Sequence, residues 1–230
     1  MNKYLPYQDQ ILRKLMYSEN GLKFSELQIK NITSNHFNYY IKKLLDDELV
    51  EKAGDLYKLN SKGKEYIGRV DEENMKLEKL PKVSVAIFVS RSKDGNKEFL
   101  VNRRLKHPYF GKVGGYTGKV RFGETYEEAA RRELIEETGL SGEFKFRRIE
   151  RKFAYDKTNR IVQDQIMVIF SVHNTEGELK EKMPEHESFW IEESALMKRN
   201  DLYNTFKSIL EISQTANDTA HDIFVEAEGF

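Results

Sequence analysis

The chain has 230 residues, 39% of them hydrophobic, and its 38 basic side chains balance 38 acidic ones to a formal charge of zero. That length allows one or two domains with a real core, and the zero balance gives the chain as a whole no electrostatic pull on nucleic acid. Cysteine is absent, which excludes a disulfide framework and a thiolate metal site. With no long apolar run and no signal-like start, the expectation is a cytoplasmic protein without a membrane partner.

The neutral total hides an asymmetry, because residues 1–70 carry 12 Lys/Arg against 9 Asp/Glu and the remainder 26 against 29. Residues 8–19 place Ile11, Leu12, Leu15 and Met16 at helical spacing. Ser25 can cap a short second helix carrying Leu27. Ser34 is read as the cap of a third, whose buried stripe is Phe37, Tyr40, Ile41, Leu44 and Leu45. Two short strands follow, Leu49–Lys52 and Leu56–Leu59, turning at Gly54 and Asp55. Ser61 then caps a further helix.

This order resembles a winged helix-turn-helix domain over residues 1–70. The resemblance implies either nucleic-acid binding or a protein-contact and dimerisation role. The face of the third helix opposite its buried stripe holds Asn35, Asn38, Tyr39 and Lys42, side chains that can meet base edges or phosphates. Lys43, Lys52 and Lys58 could add phosphate contacts. The small positive excess and the acids Asp46 and Asp47 imply that DNA, if it is the partner, needs a homodimer or a second surface.

Residues 71–81 are strongly charged, end at Pro81, and read as a linker or an extension of the preceding helix. From 82 to 230 the pattern is mixed α/β. Val83, Val85, Ile87 and Val89 alternate in a strand, and Glu98–Arg104 is its hairpin partner after the turn at Asp94 and Gly95. A glycine-rich passage leads into GKVRFGETYEEAARRELIEETGL, Gly118 to Leu140. Two long strands, 142–156 and 161–173, follow. SFWIEESAL is a strand entering a helix, Leu202–Ile212 is a helix, and DIFVEAEGF is a terminal strand or tail.

Within Gly118–Leu140, Thr125 and Glu128 have the spacing of a capping box, and Gly139 with Leu140 reads as a glycine C-cap. Glu133, Glu136 and Glu137 fall on one face of the helix between them, behind the small Ala129. Unpartnered acids so close repel one another. Hard Mg²⁺ would reverse that, since it takes a few carboxylates and fills its octahedron with water and phosphate oxygens.

The stretch resembles the Nudix box at every specified position: Gly118, Glu124, Arg132, Glu133, Leu134, Glu136, Glu137, Gly139 and Leu140. The resemblance covers about residues 80–213 and implies a mixed sheet sandwiched between helices. It also implies hydrolysis of the diphosphate linkage in a nucleoside diphosphate joined to another group. Implied metal ligands are Glu133, Glu136, Glu137 and the carbonyl of Thr117, holding Mg²⁺ or Mn²⁺. Glu133 is either a ligand or the base, and Arg132 orients the acids by reaching Glu136 or Glu124. Implied substrate contacts are Arg103, Arg104 and Gly118, and Glu185 or Glu187 could supply a further base. Val113 and Tyr116 stand where such families usually carry proline or tryptophan. The alternative class is a nucleotide-sensing transcriptional regulator that binds its ligand without turning it over. The five histidines show no metal spacing.

Overall fold

The computed structural model describes residues 6–73, 75–214 and 220–226. The chain divides into two compact units, Met1–Leu80 and Pro81–Phe230.

The first unit runs α1 (Tyr7–Met16), β1 (Leu22–Lys23), α2 (Phe24–Leu27), α3 (Ser34–Asp46), β2 (Val50–Ala53), β3 (Leu56–Leu59) and α4 (Ser61–Ile67). Ile11, Leu12 and Leu15 of α1 meet Phe37, Ile41 and Leu44 of α3 in its core, while Tyr40 and Leu45 pack at the margin. The strands pair antiparallel in the order β1-β3-β2. The two-residue β1 is too short to leave any periodicity in the sequence.

The expected caps move. Thr33 Oγ1 accepts from the His36 amide at 3.3 Å, and Asn60 Oδ1 accepts from the Gly63 amide at 2.8 Å. Thr33 and Asn60 are therefore the caps, each receiving the amide three residues on, and Ser34 and Ser61 are first helical residues. Ser25 caps nothing; α2 starts after Lys23, whose amide donates to Glu26. Helix α4 ends at Ile67 and does not continue through residues 71–73 or 75–80. Val70 bridges Leu77, and Met75 is buried beside it in the core of this unit.

The second unit runs β4 (Lys82–Lys93), β5 (Asn96–Arg104), β6 (Val113–Gly114), β7 (Tyr116–Lys119), α5 (Tyr126–Thr138), β8 (Leu140–Tyr155) and β9 (Ile161–Gly177). It continues with β10 (Lys182–Met183), β11 (His186–Glu192), α6 (Glu193–Leu196), α7 (Phe206–Gln214) and β12 (Ala220–Glu226). One mixed sheet has the order β10-β11-β5-β4-β9-β8-β12, with β6 on β5 and β7 on β4. The pairs β4–β9 and β8–β12 are parallel and the rest antiparallel.

Alternation along β4 separates two cores. Val85, Ile87 and Val89 pack with Ala129, Ala130 and Leu134 of α5, and Ala86 and Phe88 pack with Leu196, Phe206, Ile209 and Leu210 on the other face. The result is an α/β/α sandwich. The last helix starts at Phe206, later than the expected Leu202, because Leu202 bridges Val113 and Val113 exchanges backbone bonds with Asp201 and Tyr203. The tail strand is present through Glu226; its final residues, 227–230, lie outside the described residues. Among the described residues no helix is long and apolar enough to cross a membrane.

Candidate active site

Helix α5 forms where its local signals place it. Thr125 and Glu128 exchange hydrogen bonds in a capping box, and Gly139 closes the helix in the left-handed region at φ 74°. Its inward face presents Ala129, Ala130 and Leu134 to the sheet. The acids are thereby carried along the edge where α5 meets β7.

Arg132 ties this edge together. Its Nε donates to Glu124 Oε1 (2.5 Å) and Nη2 to Glu124 Oε2 (2.9 Å), while Nη1 donates to Glu133 Oε1 (2.6 Å) and Glu136 Oε2 (3.2 Å). Nη2 also donates to the Lys119 carbonyl at 3.0 Å, joining α5 to β7. The sequence offered Glu136 or Glu124 as partners; the planar fork reaches both, and Glu133 as well. These bonds hold the Glu124 carboxyl down at about 2. Arg121 supplies a second cation to Glu136 at 3.3 Å.

Gly118 is required by contact. A Cβ built on it would lie 1.9 Å from the Glu133 carboxyl carbon, so the β7 backbone passes directly against that carboxylate. Thr117, one residue earlier in β7, pairs with Ala86. Glu137 is half-buried, and its carboxyl is pushed up to about 7, first by burial and then by the charge of Glu133. Lys106 and Arg104 oppose that shift.

These observations fit a hard divalent cation. The donors are carboxylate oxygens, side-chain bulk is excluded at Gly118, and the charge of Glu137 lacks full compensation. Among the described residues, no three acidic or histidine side chains already converge as a metal-holding group. Glu133 and Glu136 instead lie on the Arg132 guanidinium. Glu136 is exposed at the rim and can swing toward the other two.

The two arginines expected to meet substrate, Arg103 and Arg104, separate by face. Arg104 shares the α5 face with Leu100, whereas Arg103 shares the opposite face with Val101. Arg104 Nε donates to the carbonyls of Lys106 (3.0 Å) and Pro108 (2.7 Å), beside Glu137. Arg103 turns to Asp201 at 3.8 Å. Glu187 lies opposite Arg103 in the β11–β5 ladder and so takes that other face, away from the acids of α5. Glu185 is exposed and paired with Lys106.

Tyr116 is fully buried with its hydroxyl donating to Ser188 Oγ at 2.8 Å. Phe110 is exposed and stacks on His107 at 5.7 Å. Two residues near the acids carried no signal that singled them out. Lys106 follows Arg104 by two positions and faces Glu137 across space. His186 reaches the Glu137 backbone carbonyl at 3.1 Å.

In the first unit Asn35, Asn38, Tyr39 and Lys42 are all exposed on the outer face of α3. Asn35 and Asn38 line a groove of about 690 Å³ with Lys23, Ser25, Ser34 and Lys52. Tyr39 and Lys42 lie beyond it. Lys58 is paired with Glu51 at 3.1 Å.

Sheet, helices and acidic edge together define an α/β/α-sandwich protein with carboxylates gathered by arginine beside a glycine strand. The sequence model of the NUDIX domain matches residues 80–211, and the chain belongs to the Nudix family. Two relatives are each described as an oxidized purine nucleoside triphosphate hydrolase. That of Danio rerio is 41% identical over 68 residues, covering 30% of this chain and 42% of the relative. That of Mus musculus is 35% identical over 75 residues, covering 33% and 48%. The chain thus spans less than half the length of both relatives. Among solved structures, the mutator MutT protein from Bacillus halodurans superposes with a TM-score of 0.54 at 19% identity, over 65% of this chain and 93% of that one. The NUDIX domain of Shewanella oneidensis NrtR, solved with ADP ribose, gives 0.53 at 15% identity, over 66% and 96%. At such identities these two similarities speak for the fold alone.

Proposed function

We propose that this chain is a divalent-cation-dependent Nudix pyrophosphohydrolase that cleaves the phosphoanhydride of a nucleotide. The observation that carries the reading is the edge where Glu133 abuts Gly118, Glu137 lies half-buried beside it, and Arg132 orients Glu124, Glu133 and Glu136. Glu133, Glu136, Glu137 and the Thr117 carbonyl would hold Mg²⁺ or Mn²⁺. When bound, the ion would supply charge for the phosphate oxygens and lower the pKa of attacking water.

The chain's own groups account for the rest. Water adds to phosphorus, the bridging P–O bond breaks, and the leaving phosphate departs with the electron pair. Arg104 and Lys106 stand beside Glu137 as cations for the phosphate chain. Arg132 Nη1 donates to Glu133 Oε1 and so orients the carboxylate, as either a ligand or a proton acceptor must be oriented. The names of the two relatives favour nucleoside triphosphates as the first substrates to try, with nucleoside diphosphate derivatives next. A panel of both, assayed for phosphate or pyrophosphate release with Mg²⁺ and with EDTA, tests the reading. We expect turnover of at least one compound and none in EDTA. Binding across the panel without product would favour the alternative, a nucleotide-sensing transcriptional regulator.

The first unit fits a winged helix that contacts DNA through α3 and the β2–β3 hairpin, in a cytoplasmic protein acting as a homodimer. Asn35, Asn38, Lys23 and Lys52 in the lining of the groove beside α3 favour this reading, and Asp55 in the same lining opposes it.

A further inference from the structure

The last four carbonyls of a helix have no partner within it. In α5 three of them are taken by fixed groups. Ile135 O accepts from the Gly139 amide (2.9 Å), Thr138 O from the Lys180 amide (2.8 Å), and Glu137 O from His186 Nε2 (3.1 Å). A carbonyl can only accept, so the His186 proton is on Nε2. His186 is the side chain in this set that comes from the sheet, and the carbonyl it takes belongs to a proposed cation ligand.

The imidazole is itself held in place. It is buried and meets the Tyr116 ring edge-on at 6.0 Å, and the Tyr116 hydroxyl is anchored on Ser188 Oγ at 2.8 Å. His186 also lies directly opposite Arg104 in the β11–β5 ladder, on the same face. The Leu105 amide next to Arg104 donates to the carbonyl of Glu185 at 2.8 Å. One residue of β11 therefore links the strand end that carries Arg104 to the helix end that carries Glu137.

We propose that His186 is a positioning residue for the cation site. By donating Nε2–H to the backbone carbonyl of Glu137 it fixes the last turn of α5 and the direction of the Glu137 carboxylate. This inference rests on the proposed cation site, and the experiment separates the two. Mn²⁺ is titrated into the full-length chain and the free-ion signal followed by electron paramagnetic resonance. The variants are His186→Met and His186→Gln, matched in shape and differing in the N–H donor. Turnover against Mg²⁺ concentration is measured in parallel, with thermal unfolding as the control for folding.

Outer-shell groups of this kind typically affect affinity or activity by 10–100-fold, so His186→Met should weaken Mn²⁺ binding about ten-fold, while His186→Gln stays within about three-fold of wild type. The Mg²⁺ concentration for half-maximal turnover should rise in step. Wild-type affinity in the Met variant overturns the inference, as does equal weakening in both variants when both are folded. If His186→Met does not fold, His186→Asn decides, since its amide stops short of the carbonyl; wild-type affinity there also overturns it. A wild-type chain that binds no Mn²⁺ removes the cation site and the inference with it.

Discussion

Replacing Gly118 by alanine separates chemistry from stability at one atom. The added Cβ would lie 1.9 Å from Glu133 Cδ and 2.1 Å from Cγ, where ordinary contact begins near 3.4 Å. The carboxylate must retreat by about 1.5 Å, the scale at which misplacement of a reacting group costs about 100-fold in rate. The backbone at Gly118 is outside the left-handed region, so alanine can adopt it. The displaced atoms are the far end of a flexible side chain, and the stability cost should stay near the typical 1 kcal/mol of a point substitution. Part of that cost is the weakening of the bond from Arg132 Nη1 to Glu133, which is 2.6 Å in the wild-type chain. We therefore expect Gly118→Ala to fold, to melt within a few degrees of wild type, and to lose about 100-fold in kcat/KM, equivalent to about 2.7 kcal/mol of transition-state stabilisation. Product release at saturating Mg²⁺ and a thermal melt are the assays. Turnover within a factor of two of wild type would refute the placement of Glu133 at the reacting centre, and global unfolding would refute the view that the contact is local.

In metal-free protein the Glu137 carboxyl is raised from 4.5 to about 7 in the folded state, so that state holds the proton more tightly than the unfolded chain. The Glu137 contribution to stability in EDTA should be fully present below pH 4.5 and be lost as pH rises through 7, by up to about 3 kcal/mol. Glu137→Gln should flatten that slope in urea midpoints while lowering Mg²⁺-dependent turnover about 100-fold or more; a variant with the wild-type slope would show that another group titrates there. For the first unit, Lys42→Ala should reduce the salt slope of duplex-DNA binding by about 0.9 in fluorescence anisotropy. Undetectable binding of the wild-type chain at low salt would leave this unit a dimerisation or protein-contact module.

Helix α5 was legible in the sequence, with its capping box, glycine stop and acidic face, because each of those signals acts within a few residues. The alternation of Val85, Ile87 and Val89 likewise marked a central strand. Two caps of the first unit were missed by one position, since Thr33 and Ser34, or Asn60 and Ser61, are both good caps and only the backbone angles choose between them. What depended on partners far away in the chain was not legible. Arg103 and Arg104 are equivalent as letters. The pairing of β5 with β11 and the packing of α5 on one face of the sheet send Arg104 toward Glu137 and Arg103 toward Asp201. The same register put Glu187 on the far face and brought His186 beneath the helix end. A strand's two faces differ only once something covers them. The sequence by itself therefore determined which acids share a helix, and the tertiary structure decided which cations and which histidine meet them.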